Sequence, residues 1–222
     1  MVADGTVVAA HAGEKLAALR QLLAERYPEA ARTSHRCLTT GVRTMDTVAG
    51  GIPLGAVTEI VGATLSSGCT LLLGQLLLAT RVARWRVALV DAANQFDPAS
   101  YAEDTLAHVV WVRCESMQTA LPVTDILVRD ANLTLVILDM RLNLRREWSR
   151  TPPTFWYRLQ RAVEIGDLAL VVLTAEPCIP SAQLRFSLTR SYDLAALRNE
   201  RDHLLAQCDP DLQRQRRCHV AG

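Results

Sequence analysis

Three features of the chain predict an α/β fold with a mostly parallel central sheet flanked by helices. Short strand-like runs alternate with helical stretches from residue 56 onward. Two of the runs, LTLVILDM at 133–140 and LALVVLTA at 168–175, are almost wholly apolar. That is the pattern of strands covered on both faces. The run AVTEIVG at 56–62 passes through a glycine-bearing turn into an apolar helical stretch. This is the strand, turn and helix order of phosphate-binding loops.

The elements follow in order. Residues 14–27 read EKLAALRQLLAERY, with Leu16, Leu19, Leu22 and Leu23 at helical spacing and Pro28 ending the run. An amphipathic N-terminal helix and a linker are therefore expected over 1–37. The core is expected over 38–193, with strands at 56–62, 86–91, 108–113, 133–140, 168–175 and 183–190. Helices are expected between them at 70–84, 99–106, 117–131 and 155–165. After Tyr192 the chain turns polar. DLAALRNERDHLLAQ suits a helix, and QRQRRCHVAG reads as a short basic tail, so 194–222 is expected to be a C-terminal helix and tail.

Composition narrows the function classes. With 222 residues, 50% hydrophobic and 21% charged, the chain is globular, and its length suits one domain of about 150 residues with extensions. A net charge of +1 gives no global field for nucleic acid or membrane. The apolar stretch Leu71–Ala79 is interrupted by Gly74 and Gln75, far short of the roughly 20 residues that span a bilayer. The N-terminus carries Asp4 and no early basic residue, so no signal peptide is expected and the protein is expected to be cytoplasmic. Six cysteines are scattered without a CxxC pair, which suits reduced thiols, and Cys208, Cys218 and His219 match no common zinc spacing. No metal and no cofactor are expected.

The turn after 56–62 is the candidate site, and it is degenerate. Gly62 and Gly68 are separated by five residues where a working loop has four. Cys69 stands where that loop has the lysine that reaches the β and γ phosphates. A thiol with a pKa near ~8.5 is mostly neutral at pH 7 and brings no positive charge. Lys15 is the chain's single lysine, every other basic residue being arginine, so no lysine in the body of the protein can substitute. Ser67 remains in the loop, Thr70 keeps the hydroxyl that would hold magnesium, and Asp139 ends an apolar strand where an acidic magnesium partner belongs. Gly62, Ser67, Gly68, Cys69, Thr70 and Asp139 thus form a vestigial nucleotide site with no catalytic residue, and retention of Thr70 and Asp139 as structural residues is the simpler reading.

The blocks TGVRTMDTVAGGIPLGAVTEIVGATLSSGCT, VALVDAANQFDPASYAEDTL and TALPVTDILVRDANLTLVILD resemble, in order and spacing, the core of the RecA recombinases. The resemblance implies a RecA-like core and places two further family elements. The glutamate that activates water falls at Ala93. The strand that should end in a γ-phosphate-sensing glutamine ends Leu173-Thr174-Ala175-Glu176. Loss of charge, base and sensor together implies no ATPase activity. Shortness, degeneracy and the arginine-rich ending are similar to the ImuA family. That resemblance implies an adaptor in damage-induced translesion synthesis, working with an ImuB-like polymerase subunit, with RecA, or with both. Two alternatives stand beside it: a SulA-like inhibitor of cell division, and a RecA-type ATPase with residual nucleotide binding. The leucine face of 14–27 and Arg214, Arg216 and Arg217 are candidate partner contacts. Segment 141–157 holds Arg141, Arg145, Arg146, Trp148 and Arg150 among further aromatics, so it is a candidate contact for weak single-stranded DNA binding or for protein. Partner identity and oligomeric state are left open.

Overall fold

A computed structural model describes residues 36–64 and 66–216. The proposed helix at 14–27, with Leu16, Leu19, Leu22 and Leu23, and Arg217, Cys218 and His219 lie outside the described residues. Strands β1 (Cys37–Leu38) and β2 (Ile52–Pro53) pair antiparallel around helix α1 (Arg43–Ala49). The main sheet contains β3 (Val57–Gly62), β4 (Val87–Asp91), β5 (Val109–Arg113), β6 (Leu135–Asp139), β7 (Ala169–Thr174), β8 (Leu184–Leu188) and β9 (Asp211–Gln215). Its order is β5-β4-β6-β7-β3-β8-β9, parallel throughout except for the β8–β9 pair. The helices are α2 (Cys69–Val82), α3 (Glu103–Leu106), α4 (Met117–Leu127), α5 (Arg145–Trp148), α6 (Pro153–Gly166) and α7 (Arg201–Ala206). The α/β fold with a mostly parallel, helix-flanked sheet is therefore as expected.

The two-residue period of the strands divides the core into two layers. Leu89, Leu135, Ile137, Val171, Leu173 and Phe186 face one layer with Leu72, Leu73, Leu76 and Leu77 of α2. Val90, Val136, Leu138, Leu170 and Val172 face the other, with Met117 and Ala120 of α4 and Trp156, Leu159 and Val163 of α6. Strands β6 and β7 are apolar along almost their whole length because both faces are covered, whereas β3 also buries Thr58 and Glu59.

Several boundaries differ from the expectation, each for a local reason. The 99–106 helix is broken into a short 3-10 turn at Pro98–Ser100 and α3, because Asp97 caps the first turn and Tyr101 is extended. Helix α4 stops at Leu127, and Asp130 then holds the turn by accepting from Asn132 N. The helix expected after Tyr192 is a 3-10 turn at Leu194–Arg198 followed by the short α7. Residues 211–215 are a strand rather than part of a basic tail. The open edge of β8 offers backbone donors and acceptors, Leu212 packs on the core layer of α2, and Arg216 N donates to Gln183 O at 2.7 Å.

Candidate functional site

The loop after β3 and the carboxyl ends of the neighbouring strands meet where the strand order reverses, the usual ligand crevice of such sheets. Gly68 caps α2 with φ +84°, a conformation that glycine adopts without strain. Cys69 and Ser67 are buried beneath the loop, and the Ser67 hydroxyl has no hydrogen-bond partner among the described residues. Burial pushes the Cys69 thiol up to about 12. Arg141 lowers it and Asp139 raises it by smaller amounts, so Cys69 is a neutral group at physiological pH.

Arg141 is the pivot of the site. Its guanidinium donates to both carboxylate oxygens of Asp139, from Nε at 2.9 Å and Nη2 at 2.6 Å. Its Nη1 donates to the Thr70 hydroxyl at 3.1 Å. The ion pair is shielded, with 16% and 15% of the two side chains exposed. Burial is the largest single influence and disfavours the guanidinium charge, but the hydrogen bonds and charge of Asp139, with smaller help from Cys69 and Tyr101, together hold its pKa above the ordinary arginine value. The structure thus joins Thr70 and Asp139, from α2 and β6, through a cation that belongs to the chain. Arg141 itself is turned inward and is not presented to a ligand, as a contact loop would require.

The other positions of the loop are dispersed. Arg145 reaches the Glu176 carboxylate at 3.2 Å, tying α5 to the turn after β7. Arg146 and Arg150 are exposed, whereas Trp148 packs against the core layer of α4 and α6. Beside Ala93, Asn143 Nδ2 donates to Ala92 O at 3.1 Å and also to Glu147. Glu147 accepts from Leu144 N at 3.2 Å and from Asn143 Nδ2 at 3.1 Å, capping the first turn of α5. Arg214 lies on β9, donates to Pro180 O at 3.4 Å and has its pKa lowered, first by burial and then by Arg185 and Arg216. Arg216 is exposed beyond the strand.

Sequence reasoning missed the residues that cover the loop. Tyr192 N donates to Ser66 O at 2.9 Å, Ser191 and Ser66 hydroxyls are 2.8 Å apart, and the Tyr192 hydroxyl reaches Leu204 O at 3.0 Å. The Tyr192 ring lies over Gly68, where an added Cβ would stand 2.7 Å from it. Arg201 of α7 stacks on Tyr101 at 5.4 Å and sits against Gly74, where a Cβ would overlap its guanidinium. Tyr101 stacks in turn on Phe96 at 5.1 Å, and Phe96 meets Trp111 edge-on. The aromatic content of QFDPASY and the glycines at 68 and 74 were the available signals. A second network holds the turn after β7. Buried Glu59 accepts from Thr174 Oγ1, from Cys178 N at 2.7 Å, from Ile179 N and from Arg185 Nε.

This arrangement fits a magnesium-bound nucleotide poorly. Thr70 and Asp139 are engaged by Arg141, Cys69 carries no charge, and Tyr192 covers Gly68. Among the described residues no helix is long and apolar enough to cross a membrane, and no group of three metal-binding side chains gathers.

Comparison with known proteins points in one direction. The chain is 33% identical over 118 residues to protein RecA of Crocosphaera subtropica, a match covering 51% of this chain and 33% of that one. It is 32% identical over 149 residues to RecA of Synechococcus sp. strain CC9605, covering 65% and 36%. It is 33% identical over 107 residues to RecA of Streptomyces coelicolor, covering 46% and 28%. The chain spans about a third of the length of the curated relatives it matches. No protein-family model matches it. The similarity is distant and partial, and it supports a RecA-like relationship in keeping with the observed sheet.

Proposed function

We propose that this chain is a non-catalytic, RecA-like accessory protein of the DNA damage response. In this reading it serves error-prone translesion synthesis as an adaptor that binds a polymerase-like subunit, RecA, or both. The observation that carries the non-catalytic reading is the Arg141 guanidinium held between Thr70 and Asp139. The two oxygens that magnesium chemistry requires are committed to an internal cation. The neutral Cys69 and the absence of a carboxylate at Ala93 support the same reading. The adaptor role rests on the resemblance to the ImuA family, whose members act beside ImuB, and on the exposed arginines that the fold leaves at the surface.

The test is affinity capture of the tagged full chain from cells carrying DNA damage. Recovery of an ImuB-like subunit or of RecA, lost when surface arginines are reversed in charge, is expected. Recovery of the division protein FtsZ alone, or of none of these, overturns the adaptor role.

A further inference from the structure

Helix α6 is amphipathic, and its outer face is more specific than a solvated surface needs to be. Its inner face buries Trp156, Leu159 and Val163. Its outer face carries Thr154, Tyr157, Arg158, Arg161 and Ile165, spaced at three and four residues. Together with Arg129, just past the end of α4, these residues line a groove of about 400 Å³. Ile165 is 86% exposed and Tyr157 47%. A single exposed isoleucine is ordinary, but an isoleucine and a tyrosine lining one concave surface form an apolar patch.

The charges of the groove are unbalanced. Asp125 is shared by Arg129 at 3.1 Å and Arg158 at 3.4 Å. Arg158 also lies over the Phe155 ring at 5.0 Å, so its guanidinium is held in place. Arg161 has no acidic partner among the described residues. Glu164, the next carboxylate on α6, is engaged by Gln160 at 2.8 Å and Gln183 at 3.4 Å. One carboxylate therefore faces three guanidiniums, and the excess positive charge sits beside apolar side chains.

We propose that the groove between α4 and α6 is a docking site for an acidic segment of a partner protein, with apolar side chains of that segment seated on Tyr157 and Ile165. An acidic peptide supplies the carboxylates for Arg161 and for the half-paired Arg129 and Arg158, where arginine's planar donors suit carboxylates. Single-stranded nucleic acid fits less well, because it needs a run of open aromatic faces along a basic track. Here Phe155 is already covered by Arg158, and only Tyr157 presents a ring. The inference goes beyond the adaptor reading and does not depend on the loss of nucleotide turnover.

The full chain should be used to select from a random peptide library, with counter-selection on Arg161→Glu and, separately, on Ile165→Ser. Both positions are exposed, so folding is expected to be retained, and the melting curve checks this. The expected winners are rich in Asp and Glu flanked by Leu, Ile or Phe. Each single change weakens their binding about tenfold or more, and Arg161→Ala gives an intermediate loss. Binding also weakens with added salt. Winners that are basic or unbiased, or that bind both variants as well as the parent, overturn the proposal. So does single-stranded DNA that outcompetes the winners and depends on Arg158 and Arg161 but not on Ile165, which would make the groove a nucleic-acid surface.

Discussion

Arg141 sits two residues after Asp139, close enough in the chain for its guanidinium to fold back on that carboxylate and still reach Thr70. Both charges are largely removed from water, so each depends on the other. Arg141→Ala is expected to cost on the order of 3 kcal/mol, because Asp139 is left shielded and unpaired. Removing both charges should recover most of that loss, so the cycle is the parent, Arg141→Ala, Asp139→Leu and the double variant. A denaturant series on the four proteins of this cycle checks it, and additive losses would refute the coupling. His108 gives a prediction in pH. The Thr80 hydroxyl donates to Leu77 O at 2.8 Å and so accepts from His108 Nε2 at 2.9 Å. Burial, and then Arg81, lower the His108 pKa below its ordinary 6.5, while Asp104 opposes them. The unfolded chain therefore binds the proton more readily, and this contribution to stability is present above pH 6.5 and lost as pH falls through the folded value. The drop in melting temperature between pH 7 and pH 5 should be smaller in His108→Gln, which keeps a donor for Thr80 but does not titrate. An unchanged drop would assign the effect to other groups.

The segment from Ser191 to Leu204 acts as a cover for the loop between β3 and α2, and Gly68 is the place to probe it. Alanine there meets two obstacles, a φ of +84° and the Tyr192 ring at 2.7 Å. Gly68→Ala is expected to cost about 1–3 kcal/mol from backbone strain and crowding. Adding Tyr192→Ala removes the crowding but not the strain, so the double change should cost less than the sum of the singles, read from chemical denaturation. Strict additivity would show that the ring does not rest on this glycine. What was legible in the chain follows the same division between local pattern and tertiary contact. The strands at 133–140 and 168–175 were legible because burial on both faces leaves continuous apolar runs. DLQRQ at 211–215 was not, because its alternating exposed residues are polar and only the open edge of β8 makes it a strand. Helix α1 was missed because it is seven residues long and is held by Asp46, which accepts from Thr40 N and Gly41 N. Thr70 and Asp139 could be placed from loop spacing and strand position. The inward turn of Arg141 and the cover by Tyr192 and Arg201 depend on contacts between distant segments, which no local pattern encodes.

At the scale of the molecule, the sheet order brings the loop after β3 beside the ends of β6 and β7, the geometry in which a phosphate-binding fold performs its chemistry. The same geometry here closes on itself. Arg141 fills the gap between helix and strand, and the chain after β8 returns over Gly68 and Gly74. On the non-catalytic reading proposed above, giving the site nucleotide chemistry would require more than one change. Cys69→Lys alone would set an ammonium beside the Arg141 guanidinium, whose repulsion lowers the affinity of that position for its proton. It would leave Asp139 paired and Ala93 without a carboxylate. Joining it to Arg141→Ala releases Thr70 and Asp139, and that double variant is expected to bind magnesium-ATP measurably better than the parent. It should still release no phosphate, since a missing general base alone costs ~10²–10⁴ in rate. Phosphate release and nucleotide binding, measured with and without single-stranded DNA on the parent, the single variants and the double variant, decide the matter. DNA-stimulated hydrolysis by the parent chain would refute the non-catalytic reading. Hydrolysis by the double variant alone would show that Arg141 and Cys69, rather than the missing base, are what silence the site.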